Sequence, residues 1–160
     1  MDEILALPPR RRLGHQALIL NSAGAVLLVA TTYRRGLLLP GGSAERGELP
    51  HLAVRRQVEA ETGLTLPFRD VLAVDYVAAQ RYPEGVNFVY LGGILTEEQE
   101  MVVRHHFPSP IEITDLCWRS RSELSAAMEE DQLRRVQQAL TALDAGMRLP
   151  MLLRGVPAGG

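Results

Sequence analysis

The chain has 160 residues, 46% of them hydrophobic and 22% charged, and a net charge of −2. That length suits a single domain with a substantial core, and the balance excludes a disordered chain. The small net charge excludes a global field drawing the protein to nucleic acid or to an anionic membrane, and the lone cysteine, Cys117, excludes an intramolecular disulfide and suits a reducing, cytoplasmic setting.

The N-terminal stretch MDEILALPPRRR carries acids before a short apolar run and bases after it, the reverse of a secretory signal. No run approaches the roughly 18 apolar residues of a membrane span. Residues 1–12 read as a solvated segment entering the domain, Arg10, Arg11 and Arg12 included.

Residues 13–20 and 25–30 are apolar runs joined by Asn21-Ser22-Ala23-Gly24, which predicts a β-hairpin. Residues 31–36 (TTYRRG) read as a loop, and 37–39 as a short strand that Pro40 must end. Pro40-Gly41-Gly42 suits a tight turn that lets backbone approach a ligand closely. A helix is predicted over 49–62, with Pro50 in its first turn, Gly63 just past its end, and Leu52, Ala53 and Val58 as a partial core stripe. Residues 68–80 and 86–95 read as longer strands around a hairpin loop, RYPEG. TEEQE at 96–100 reads as an acidic loop or short helical turn, and 111–118 as a further strand. Ser120 and Glu123 have capping-box spacing, and 131–145 forms a helix with Leu133, Val136, Leu140 and Leu143 on one stripe. Residues 147–160 lack a period and predict a flexible, partly disordered tail.

On the 49–62 helix, at about 100° per residue, Gln57, Ala60 and Glu61 share one arc of about 100°, whereas Glu59 lies about 160° from Glu61. The stretch from Gly42 to Leu64 resembles the Nudix box, G-x5-E-x7-R-E-U-x-E-E-x-G-U with U a bulky apolar residue. Gly42, Glu48, Arg56, Val58, Glu61, Gly63 and Leu64 fall on the pattern, while Gln57 and Ala60 stand where glutamates are expected. The resemblance implies an α/β fold, a Nudix-like α/β/α sandwich with a mixed, largely antiparallel sheet over residues 13–146. It also implies a platform for Mg²⁺ or Mn²⁺, hard cations that take oxygen ligands, in cleavage of a diphosphate bond.

In that resemblance Glu48 and Arg56 pair to fix loop against helix together with Gly42 and Gly63, and the Gly41 carbonyl joins the metal shell. Glu61 keeps its carboxylate, Gln57 offers a neutral oxygen, and Ala60 offers nothing. Glu48 is a further metal candidate, and Glu112 a candidate base or ligand from a late loop. Tyr33, Arg34, Arg35, Arg81 and Tyr82 are candidates for stacking on a base or clamping a phosphate. Glu45, Glu97, Glu98 and Glu100 read as solvated acids, His105 and His106 as loop residues, and Cys117 beside Trp118 as core.

Two functions follow. One is a divergent metal-dependent Nudix pyrophosphohydrolase acting on a nucleoside diphosphate-linked or nucleotide substrate, with reduced or relocated machinery. The other is a catalytically impaired Nudix-fold module that binds a nucleotide or a protein partner. No nucleic acid or membrane partner is expected, and a homodimer is an expectation of the resemblance.

Overall fold

A computed structural model of the protein describes residues 7–109 and 112–158. The expectations for residues 1–6, for Ile111 and for Gly159 and Gly160 lie outside the described residues. The fold is built on β1 (Arg12–Leu20), whose last four residues are buried. Such a strand needs cover on both faces. It pairs in parallel with β5 (Gly85–Ile94) along its length. Antiparallel to β5 runs β4 (Asp70–Val77), so the hairpin expected around RYPEG is present.

The first expected hairpin is different. β2 (Val26–Thr31) meets β1 only at Leu20↔Val26 and pairs instead with β6 (Ile113–Arg119) from Val26↔Arg119 to Thr31↔Ile113. Into the gap between β1 and β2 runs the segment 37–43. Leu38 forms an isolated bridge to Val29, and the Pro40 carbonyl accepts from Ala17 N–H at 3.0 Å. β3 (Gly41–Ser43) then pairs with β1 through Gln16↔Gly41, His15↔Gly42 and Gly14↔Ser43. The expected strand at 37–39 is therefore a single bridge, and the expected turn at Pro40-Gly41-Gly42 is extended backbone. Gly41 has φ +145°, and a Cβ there would collide with the His15 carbonyl, so only glycine passes this close to β1.

The box helix α1 (Pro50–Thr62) covers one sheet face. Val54 and Val58 pack with Ala17, Ile19, Phe68 and Tyr90. Leu52, expected in the stripe, is 43% exposed, and Val54 takes its place. The acidic segment is a nine-residue helix, α2 (Glu97–His105), because Thr96 and Gln99 form a reciprocal capping box. After β6 a 3-10 turn (Arg121–Glu123) leads into α3 (Leu124–Ala127), then α4 (Glu130–Asp144). Leu124, Met128, Val136 and Leu140 cover the opposite face against Leu18, Leu20 and Leu28. This is the expected α/β/α sandwich, with sheet order β6-β2-β1-β5-β4 and β3 paired beside β1.

The C-terminal segment departs from expectation. β7 (Leu149–Pro150) extends the sheet beyond β4, while β8 (Leu152–Leu153) and β9 (Val156–Pro157) form a small hairpin. Met151 N–H donates to the Arg69 carbonyl at 3.0 Å and Ala158 is buried, contacts that a search for periodicity in so short a run cannot reveal.

Candidate functional site

The frame of the site lies where the loop 41–49 meets α1. Pro50 occupies the first turn, where its missing N–H leaves no gap, and Gly63 ends the helix at φ +80° with its N–H on the Glu59 carbonyl at 2.9 Å. Arg56 donates through Nε and Nη2 to the two oxygens of Glu48 at 2.7 and 2.9 Å, and Glu45 N–H adds a third bond at 3.0 Å. These bonds hold the Glu48 carboxyl well below the usual carboxylate range, with Arg56 the main cause. Both Glu48 oxygens are thus engaged in tying loop to helix.

Glu61 and Gln57 face that loop. The Glu61 carboxylate accepts from Gly41 N–H at 3.0 Å. Burial pushes its carboxyl up to about 8, the Gly41 bond opposes the shift, and the charge of Glu112 adds to it. Glu112, brought in beside Thr32 through a backbone bond of 3.0 Å from Thr32 N–H to its carbonyl, is therefore near enough to Glu61 to repel it. Tyr33 lies between the same groups: burial raises its phenol, with Glu61, Glu112 and Tyr82 adding to the shift. Gln57 donates from Nε2 to the Ser43 carbonyl at 2.6 Å, a bond an ionised glutamate could not make. Its Oε1 is buried without a partner. A Cβ on Gly42 would come within 2.7 Å of the Gln57 amide, so the box glycine leaves room for this side chain. Ala60 is exposed, and its carbonyl meets His106 Nε2 at 2.9 Å.

The remaining candidates divide. Tyr33 and Tyr82, 58% and 62% exposed, stand near enough for Tyr82 to act on the Tyr33 phenol. Arg34 is committed to Asp131 at 2.9 and 3.0 Å and to Glu129 at 3.4 Å, anchoring its loop to the start of α4. Arg35 and Arg81 are exposed. His105 closes α2, a correction to its loop reading, whereas His106 caps the helix from extended backbone beyond it, as expected of a loop residue, and Glu100 binds Ser22 N–H at 3.3 Å. Cys117 is half-buried against the α4-side core, as expected.

A cavity of about 90 Å³ opens beside the loop, lined by Tyr33, Gly41, His15, Gln16, Arg12 and Asn87. His15 is fully buried and stacks on Phe88 with ring centroids 5.7 Å apart. Burial lowers it to about 4, so its imidazole is neutral at pH 7. Gln16, Asn87 and Arg135 are functional candidates absent from the sequence reading. The available signal is a polar residue interrupting an apolar strand run, at Gln16 and at Asn87. A larger open groove of about 720 Å³ runs past Thr31, Gly36 and Ser122 on the α3 side, away from Glu61.

The donors fit one hard cation better than several. Among the described residues no three His, Cys, Asp or Glu side chains gather at metal-binding spacing. Glu61, the Glu112 charge that repels it, and the orphaned Gln57 oxygen one helical turn before Glu61 are oxygen donors of the kind that a single divalent ion takes. Among the described residues no helix is long and apolar enough to cross a membrane.

The profile of the family described as NUDIX domain matches residues 10–140. No curated protein matches the sequence significantly. Among solved structures, a MutT protein from Methanosarcina mazei Go1 is similar at 21% identity and TM-score 0.67, over 88% of this chain and 99% of that one. A NUDIX hydrolase from Nitrosomonas europaea is similar at 22% identity and TM-score 0.70, over 89% and 94%. The NUDIX domain of Shewanella oneidensis NrtR, solved in complex with ADP ribose, is similar at 17% identity and TM-score 0.64, over 89% and 97%. The structural likenesses carry the fold, the profile match carries the family, and this chain belongs to the Nudix family.

Proposed function

We propose that the protein is a metal-dependent pyrophosphohydrolase cleaving a diphosphate bond in a nucleoside diphosphate-linked or nucleotide substrate. The observation that carries this reading is the Glu61 carboxylate, held by Gly41 N–H at 3.0 Å on the loop-facing side of α1 with Glu112 and Tyr33 near enough to interact with its charge. Glu61, the Gln57 Oε1 and the Gly41 carbonyl would hold one Mg²⁺ or Mn²⁺. The ion supplies charge neutralisation of the diphosphate oxygens and polarisation of the bridge.

The chain's own residues do the rest. Glu48 and Arg56 lock the loop so that Gly41 and Glu61 keep their register. Glu112, more exposed than Glu61, accepts the proton of the attacking water. Tyr33 and Tyr82 present ring faces to the nucleoside. The loss of a carboxylate at Ala60 and the Gln57 bond to Ser43 favour a slower enzyme than a full box would build.

The same two departures support a second reading, a module that binds a nucleotide without turning it over. A panel of diphosphate-linked nucleotides, with Mg²⁺ and Mn²⁺ titrated and monophosphate products read through a coupled phosphatase, separates the two. Metal-dependent product from any member supports hydrolysis. Tight binding with no product at any metal concentration contradicts it.

A further inference from the structure

Arg12 is the feature of the cavity that the proposed cleavage does not use. It opens β1, half-buried, with Nη1 donating to Asn87 Oδ1 at 3.2 Å. Gly14 makes that contact possible: a Cβ there would collide with Asn87 Oδ1 and come within 2.7 Å of Arg12 Nη1. A second guanidinium, Arg135, stands close by at 7% exposure. It donates to Asp75 at 2.7 Å and to Gln16 Oε1 at 3.0 Å. Asp75 thus balances Arg135, whereas among the described residues Arg12 has no carboxylate within ion-pair distance and faces a neutral amide. Burial first and the charge of Arg135 second lower the Arg12 guanidinium from its ordinary value. Two cations near one another, one without a counter-charge, leave a deficit that an anion would relieve. Asn87 Nδ2, unpartnered among the described residues, adds a neutral donor to the same wall.

We infer that the cavity bounded by Arg12, Asn87, Gln16 and Tyr33 is an anion subsite, which takes a phosphate or carboxylate of the substrate other than the scissile diphosphate. Its volume of about 90 Å³ is enough for one compact anion. The polarity of the cleft agrees. Tyr33 lines the cavity and is near enough to Glu61 and Glu112 to feel their charge, so the cationic wall and the acids belong to one cleft. The donors suit a phosphate or a carboxylate equally, since a guanidinium fork and an amide N–H pair with either. The location of the rest of the molecule rests on the proposed function, but the subsite itself does not.

The test uses the full chain in EDTA, so that no cation recruits anions to the Glu61 platform. Inorganic phosphate and acetate are titrated separately while side-chain amide and guanidinium NMR signals are followed. Saturable shifts at Asn87 and Gln16, unchanged in Glu61→Gln and weakened at least about tenfold in Arg12→Gln, are the expected result. Arg12→Lys should recover part of the affinity, which a merely misfolded protein would not. Saturation by phosphate, by acetate or by both identifies the anion class. No saturable shift with either ion overturns the subsite, as does binding indifferent to Arg12→Gln. Because no metal is present and no turnover is read, this outcome is independent of whether the protein cleaves diphosphates.

Discussion

The side-chain amide of Gln57 donates to the backbone carbonyl of Ser43 at 2.6 Å, fastening the Nudix loop to its helix at a position where the family pattern has glutamate. An ionised carboxylate there would face a carbonyl oxygen and repel it. The substitution is therefore more than a lost ligand, since the amide has become part of the frame.

Restoring the family residue should show this. Gln57→Glu is expected to lower stability in EDTA by about 0.5–1.5 kcal/mol, the net contribution of a typical hydrogen bond, and to regain part of it on adding Mg²⁺. Urea denaturation with and without the ion checks it. Equal stability in EDTA would mean that the Ser43 bond contributes nothing.

Glu61 predicts a pH dependence. Its carboxyl stands at about 8 in the fold against 4.5 in the unfolded chain. The native state therefore keeps a proton that the unfolded chain releases between those values. The contribution of this group is fully favourable below about 4.5 and is lost progressively as pH rises to about 8, at a slope approaching about 1.4 kcal/mol per pH unit. Glu61→Gln, neutral at every pH, removes that slope, so the stability curves of the two proteins should diverge across the window, with wild type losing ground as pH rises. Mg²⁺ should flatten the wild-type curve by favouring the ionised form. Parallel curves in EDTA would refute the burial of this carboxyl.

The extended path of Gly41 carries its own consequence. Gly41→Ala brings a Cβ into the His15 carbonyl and forces a side chain to adopt φ +145°. A loss of several kcal/mol is expected, the scale of severe backbone and packing defects. A thermal midpoint close to wild type would show that β3 can move away from β1 at little cost.

Breaking the Glu48–Arg56 pair should separate stability from activity. Arg56 is substantially exposed, at 44% of its side chain, so Arg56→Met is expected to lower stability by only about 1 kcal/mol or less. Turnover should fall much further, because the loop bearing Gly41 loses its anchor. Denaturation alongside initial rates tests the split, and equal, small effects on both would reduce the pair to a surface contact.

Much of this architecture can be read from the residues. The box spacing places α1 to within one residue, and its Pro50 and Gly63 mark both ends because each has a backbone reason to sit there. The helical spacing of Leu133, Val136 and Leu140 likewise places α4, whose buried Val136 and Leu140 trace the core stripe. The path of 37–43 is not legible: which strand Gly41 joins depends on the splay of β1 from β2, a tertiary fact with no local signature. The same holds for the site. Glu61 and the Glu48–Arg56 pair follow from spacing within one loop and helix. The meeting of Arg12 and Asn87 joins residues 75 apart in sequence, and that of Gln16 and Arg135 residues 119 apart, which nothing in a local pattern records.

Glu61 is the centre of the account, and the rate of metal-dependent diphosphate cleavage by wild type and Glu61→Gln tests it most directly. With the best substrate from the nucleotide panel, saturating Mg²⁺ or Mn²⁺ and equal amounts of folded protein, Glu61→Gln should lower turnover by at least about 100-fold, beyond the roughly 10–100-fold lost when only an outer-shell partner of a metal is changed. A Glu61→Gln protein as fast as wild type would contradict the assignment of Glu61 to the metal platform.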